Sequence, residues 1–169
     1  LMEDMLENFE DYEKVDMHFK NIFTALYDTI ENAGIDMNDL KNLLIAFKQD
    51  VSKKTYKDFN ELFEYSKYSA NPVGHLVLQV FEYNKDSNKE MYEYSDYICS
   101  ALQFTNFWQD VSLDLKLNRV YVPLDFMDKN NYGIEELYNK VENDKFKRIM
   151  KELVDATEDI FMKGKDLPK

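Results

Sequence analysis

An all-α fold, a helical bundle around one apolar core, is what this sequence predicts, and three observations predict it. Only four Gly and three Pro occur in 169 residues, so little interrupts helices. Apolar side chains recur at helical spacing between local capping signals. Hydrophobic residues make up 44% of the chain and aromatics 15%, enough for a sizeable packed interior. No internal repeat or low-complexity tract divides the chain, and residues 1–169 read as a single domain.

The elements follow in order. An acidic helical stretch reaches about Tyr12. A second helix places Phe19, Ile22, Phe23, Leu26 and Ile30 on one face and stops near Gly34. Asp36 caps the next, which carries Leu40, Leu43, Leu44 and Phe47 to about Asp50. Asp58 to Glu61 reads as a capping box opening a helix through Leu62, Phe63 and Tyr65, with Pro72 and Gly74 interrupting it before Val73 to Phe81 resumes the pattern. Asn84 to Asn88 is a loop closed by a second capping signal, Ser87 to Glu90. The longest helix is expected from about Met91 to Leu115, followed by irregular chain around Asn118 to Pro123 and a loop over 128–133. A last amphipathic helix runs from about Asp144 to Met162, before Gly164.

The formal charge of −12 excludes a nucleic-acid surface, which needs clustered Lys and Arg, and an anionic membrane would also repel the chain. Solubility is the ordinary reason for such an excess, and an acidic docking surface is the alternative. No apolar run approaches the roughly 20 residues that span a bilayer. The start, Leu1-Met2-Glu3-Asp4, does not look like a secretory signal, and the single Cys99 has no internal partner, so a reducing cytoplasm is expected. Cys99, Met150 and Met162 read as packing residues.

On the long helix Gln103, Asn106, Asp110 and Asp114 fall within an arc of roughly 80°. Apolar residues flank this stripe: Phe104, Phe107, Trp108, Val111 and Leu115 on one side, Leu102 and Leu113 on the other. Gln109, Ser112 and Lys116 form a separate solvent face, so the stripe is expected to point inward. Two carboxylates one turn apart repel each other, and a cation belongs between them. Mg²⁺ suits the pair, because it keeps several waters and takes one or two carboxylates plus phosphate oxygens. Asn106 can add an amide oxygen or donate to phosphate. On spacing alone the pair can equally be ordinary helical carboxylates facing Lys or Arg of neighbouring helices. Beyond the helix, Arg119 and Tyr121 can fold back, Arg119 bringing a planar donor fork suited to diphosphate. A surface Arg beside a strand-like Tyr is the plainer alternative.

These residues resemble a known family. Gln103-x-x-Asn106-Phe-x-x-Asp110-Val-x-x-Asp114, followed by Arg119-x-Tyr121-x-Pro123, resembles the second signature of squalene and phytoene synthases. Upstream, Tyr65-x-x-x-Ser69-Ala70-Asn71-Pro72-Val73-Gly74 resembles the first signature, and the likeness runs back through Phe47-Lys-Gln-Asp50 and Tyr56. It implies the all-α isoprenoid synthase bundle and chemistry on prenyl diphosphates. Asp110 and Asp114 would hold Mg²⁺, and Asn106, Arg119 and Tyr65 would act with them as catalytic residues. Gln103, Tyr121, Ser69, Val73 and Phe107 would bind substrate. Phe104, Phe107 and Trp108 would be either walls around a carbocation or simply bundle core.

Departures from the pattern refine the resemblance. Gln109 stands where many members have a basic residue, and Asn71-Pro72 with Ile98-Cys99-x-Ala101-Leu102-Gln103 most resembles the bacterial hydroxysqualene synthase branch. That implies farnesyl diphosphate coupling or conversion of presqualene diphosphate to hydroxysqualene, with NADPH needed only if squalene is made directly. Peripheral membrane contact for product release is also implied. Phytoene-type coupling of geranylgeranyl chains, and a non-catalytic relative acting in binding or assembly, are the alternatives. His75 sits where that branch is often basic and reads here as a neutral surface residue. The family's first aspartate-rich motif finds no counterpart, since Asp11 and Asp16 are five apart, so the expectation is a partial domain incomplete at both ends.

Overall fold

The computed structural model describes residues 17–167, and the acidic stretch expected to reach Tyr12 lies outside them. The architecture is helical: α1 Met17–Ala33, α2 Met37–Ser52, α3 Phe59–Ser69, α4 Asn71–Val80, α5 Lys89–Gln109, α6 Val111–Asp114, α7 Leu124–Lys129, α8 Ile134–Tyr138 and α9 Asp144–Gly164. One isolated parallel bridge, Thr55 to Val120, is the extended pairing among the described residues. Helix α5 is the central element, packing most extensively on α9 and next on α4, while α2, α3 and α4 pack on one another.

Local chemistry explains most boundaries. Gly34 ends α1 in the left-handed region at φ 63°, where a side chain would be strained. The Asp36 carboxylate accepts from the Asn38 amide at 2.9 Å and opens α2, and Asn143 caps α9 by accepting from Lys145 and Phe146. The Asp58 carboxylate accepts from the Glu61 amide at 2.8 Å, but Glu61 returns to the Lys57 amide rather than to that of Asp58, so the box is half closed. Ser87 and Glu90 do not form the second box: Asn88 occupies the N-cap of α5, without a side-chain cap bond.

Pro72 and Gly74 do not interrupt a helix. Pro72 lies in the first turn of α4, where its missing N–H is not needed. Gly74 lies inside α4 and lets it approach α5, since a Cβ there would stand 2.3 Å from Ser95 Oγ and 2.6 Å from Cys99 Sγ. The helix expected to reach Leu115 breaks at Asp110; α6 and a 3-10 turn over Leu115–Leu117 follow, and Asn118 stops them in the left-handed region at φ 55°. Short α7 and α8 lie in chain to which the sequence assigned no helix, α7 running into the expected loop at Asp128 and Lys129.

The core gathers Tyr56, Leu62, Phe104, Trp108, Val122, Ile149 and Leu153. Phe104 is fully buried, and the Trp108 indole donates to Thr157 Oγ1 at 2.9 Å, so both are bundle core. Met150 packs against this core, whereas Met162 is exposed on α9, where helix geometry turns it outward. Cys99 is half-buried, and burial pushes its thiol up, as suits an inert packing residue. On α1, Phe23 and Ile30 are buried while Phe19 and Ile22 stay exposed. His75 is not at the surface: it is buried between α2 and α5.

Candidate active site

The segment after α6 folds back, and its backbone shows why. Val120 N–H donates to Lys54 C=O at 2.8 Å, Leu124 N–H to Tyr56 C=O at 3.0 Å and Asp125 N–H to Lys57 C=O at 3.0 Å. These bonds lay residues 120–125 along 54–57, between the end of α2 and the start of α3. Val120, Tyr121, Val122 and Pro123 are buried there, and Pro123 precedes α7 as its N-cap. Arg119 is anchored by its own N–H, which donates to the Asp114 carbonyl at 2.9 Å.

This pairing assembles a polar cluster under an aromatic roof. The Tyr65 hydroxyl donates to Asp50 Oδ1 at 2.7 Å, and Arg119 Nη2 lies 3.8 Å from Asp50 Oδ2. Burial, then the bond to Asp50, pushes the Tyr65 hydroxyl well above its ordinary range, so it remains a donor. Tyr121 stacks on Phe107 with ring centres 3.8 Å apart and planes 6° from parallel, and the Tyr56 ring centre lies 5.6 Å from that of Tyr121. Ser69, one turn beyond Tyr65, is half-buried and donates to the Tyr65 carbonyl at 3.1 Å.

The carboxylate pair sits beside this cluster. Asp110 caps α6 and Asp114 ends it, with Asp114 N–H donating to the Asp110 carbonyl at 2.9 Å. Burial raises the Asp114 carboxyl above its ordinary value, the Asp110 charge adds to this, and Arg119 partly offsets it. The expected inward stripe is corrected here. Gln103 and Asp114 are half-buried, whereas Asn106 and Asp110 are exposed. The helix breaks at Asp110, and the buried side of α5 is the one carrying Phe104, Phe107 and Trp108. Leu102 and Leu113 border the stripe, and both are about half exposed, at 51% and 53%. Val73 lies on the exposed side of α4 in a row with Val77 and Val80. The solvent face of Gln109, Ser112 and Lys116 is exposed as expected.

The structure therefore joins Tyr65 and Arg119 at Asp50, with Tyr121 and Phe107 stacked beside Tyr65, and Asp114 feels both the Arg119 charge and that of Asp110. Gln103 and Asn106 continue the same helix face, while Ser69 and Val73 occupy α3 and α4. Asp50 is the residue that sequence reasoning did not place in the site. Its signal was an acidic side chain in the last turn of a helix, where the helix dipole disfavours negative charge and a partner is needed.

Comparison with known proteins places the chain in a family. A sequence model of the squalene/phytoene synthase family matches residues 1–169. The hydroxysqualene synthase of Sinorhizobium fredii is 37% identical over 113 residues, 66% of this chain and 37% of that protein. That of Zymomonas mobilis is 41% identical over 107 residues, 62% of this chain and 35% of its own length. A chloroplastic phytoene synthase of an Oncidium hybrid is 27% identical over 143 residues, 83% of this chain and 35% of that protein. The chain thus spans about a third of the length of the curated relatives it matches. The crystal structure of squalene synthase HpnC from Alicyclobacillus acidocaldarius superposes with a TM-score of 0.87 at 31% identity, covering 98% of this chain and 60% of that one. The family model matches the chain from end to end and the HpnC fold superposes on it, so the chain belongs to the squalene/phytoene synthase family.

Proposed function

We propose that this chain forms one wall of a Mg²⁺-dependent prenyl diphosphate site, acting in farnesyl diphosphate coupling or in conversion of presqualene diphosphate to hydroxysqualene. The observation that carries the reading is the Tyr65–Asp50–Arg119 cluster held beside the Asp110/Asp114 pair. No group of three or more His, Cys, Asp or Glu side chains able to hold a metal forms among the described residues. The donor set is two carboxylates one turn apart, one exposed and one half-buried, and that fits Mg²⁺, whose remaining positions go to water and phosphate oxygens. Asp110 and Asp114 would hold the ion, which when bound supplies Lewis-acid stabilisation of departing diphosphate.

The other roles belong to this chain's own side chains. Arg119 donates its guanidinium N–H groups to diphosphate, and Asp50 orients it. Asn106 and Gln103 donate amide N–H groups from the same helix face. Tyr65 holds Asp50, while the stacked Phe107–Tyr121 pair forms a rigid aromatic surface beside the charges that can shelter a carbocation. Ser69 at the end of α3 and the exposed apolar side chains of Val73 and Val77 on α4 and of Leu102 on α5 suit a prenyl chain. No helix among the described residues is long and apolar enough to cross a membrane, and the apolar substrate and product make cytoplasmic action with peripheral membrane contact our reading.

The higher identity to hydroxysqualene synthases than to phytoene synthases supports the presqualene branch, while phytoene-type geranylgeranyl coupling remains the second reading on the longer match. The test incubates the full-length protein with farnesyl, presqualene or geranylgeranyl diphosphate, with and without NADPH, and identifies the lipids formed. Hydroxysqualene from presqualene diphosphate is expected, abolished by Asp110→Ala without loss of helicity. Phytoene from geranylgeranyl diphosphate would overturn the branch, and full activity of Asp110→Ala would overturn the site. Absence of any turnover with intact Mg²⁺ binding would favour a binding or assembly role.

A further inference from the structure

His75 lies on α4, away from the aspartate pair, and the proposed chemistry makes no use of it. Its imidazole is buried, with Nδ1 2.9 Å from Asp39 Oδ1 on α2 and Nε2 2.7 Å from Asp96 Oδ1 on α5. Ionised carboxylates only accept hydrogen bonds, so two such partners require both ring nitrogens to donate, and a ring that donates twice is the imidazolium. Asp39 is itself fully engaged. Its other oxygen accepts from Gln79 Nε2 at 2.7 Å, and Gln79 Oε1 in turn accepts from the Asp36 amide. Burial opposes ionisation of Asp39, yet the bonds from His75 and Gln79 outweigh it and hold the carboxyl below its ordinary value.

We propose that His75 is a permanently protonated clamp at neutral pH, tying α2, α4 and α5 together, and that alkaline loss of its proton releases the tie to α5. A neutral imidazole can donate to only one carboxylate, and its lone pair then faces the other. Asp39 is almost wholly buried and must keep a donor, whereas the Asp96 side chain is 37% exposed and can turn to water. The Asp96 contact is therefore the one that opens. It lies one residue from Ser95, which with Cys99 packs against Gly74 where α4 crosses α5, so the loosening falls on that crossing.

The groups facing His75 support its charge. Asp39 comes from α2, Asp96 and the Tyr92 ring, 5.0 Å away, from α5, and Gln79 from α4 itself. Lys85 Nζ, from the loop before α5, lies 5.6 Å from the Tyr92 ring centre and adds a positive charge that Asp39 feels. Burial works against the charged ring, but the bonds and charges of Asp39 and Asp96 reverse the balance and raise His75 to about 9. The sign follows from linkage. A folded-state value above the ordinary 6.5 contributes stability that is whole below about pH 6.5 and is lost as pH rises through about 9.

The clamp does not depend on the prenyl diphosphate reading, and its test needs no substrate. Ring ¹⁵N shifts of the chain are followed from pH 6 to 10, with His75→Arg identifying the signal that disappears. The expected result is a doubly protonated ring at pH 7.5 that titrates near 9. A ring already neutral at pH 7.5 overturns the proposal. Thermal midpoints of wild type and His75→Arg are then compared across the same range. Because Arg stays charged, the wild type is expected to lose midpoint relative to His75→Arg between pH 6.5 and 9. Parallel curves for the two proteins would also overturn the clamp.

Discussion

Replacing Tyr65 by Phe tests whether the cluster at the candidate site is a bonded unit or only a set of neighbours. The substitution keeps the buried ring and its packing against Tyr56, 5.4 Å away, and removes one hydroxyl. That hydroxyl donates at 2.7 Å to Asp50. Hydrogen bonds to charged groups contribute about 1.5–3 kcal/mol. Asp50 keeps 22% of its side-chain exposure and has Arg119 at 3.8 Å, so water and the guanidinium replace part of what is lost. The low end applies, about 1.5 kcal/mol. For a chain of this size each kcal/mol shifts the thermal midpoint by about 2–4 °C, so Tyr65→Phe should melt roughly 3–6 °C lower by circular dichroism. The cycle with Asp50→Asn then separates the bond from the ring: the two effects should be non-additive by about 1 kcal/mol. A midpoint within 1 °C of wild type, or strictly additive effects, would refute the claim that Asp50 is held by Tyr65.

Two further substitutions probe different parts of the argument. Asp114 carries a carboxyl raised by burial and by the Asp110 charge, so its ionised form costs folding stability that is absent at low pH and appears as pH rises through its folded value. Asp114→Asn should therefore melt at or above the wild type at pH 7 while Mg²⁺ affinity, measured by isothermal titration, falls at least tenfold; a lower midpoint with unchanged Mg²⁺ binding would make Asp114 a structural residue. At Gly164 a Cβ would stand 2.7 Å from the Tyr94 carbonyl oxygen, which is backbone of α5 and cannot swing aside. Gly164→Ala should cost about 1–3 kcal/mol in chemical denaturation despite the better helix propensity of Ala, and a stabilised variant would show that α5 and α9 are not in close contact there.

Much of the fold was legible along the chain because its causes are local. Asp36, Asp58 and Asn143 cap helices through bonds within three residues, and Gly34 stops α1 by a backbone conformation that only the residue itself decides. Phe104 and Trp108, open between cavity wall and core from the sequence, are core, and helical spacing already places them together on one apolar face. The errors arose where a local signal has two outcomes. Pro72 breaks a helix in its interior but opens one in its first turn, and only the position of the preceding turn at Ala70 separates these. The continuous pattern through Asp110 concealed a bend, because periodicity persists across a one-residue break.

The chemistry divides in the same way. The sequence by itself determined the helix class, the family signatures, and the one-turn spacing that makes Asp110 and Asp114 a pair, since each depends on residues close in the chain. Only the tertiary structure decided that the stripe opens outward at Asn106 and Asp110, that Asp50 joins Tyr65 and Arg119, and that His75 is buried between two carboxylates. Those outcomes depend on partners 15 to 69 positions away, as in Asp50 with Tyr65 and with Arg119. A side chain's charge, exposure and role are set by what the folded chain brings against it, and helical periodicity carries no information about that neighbour.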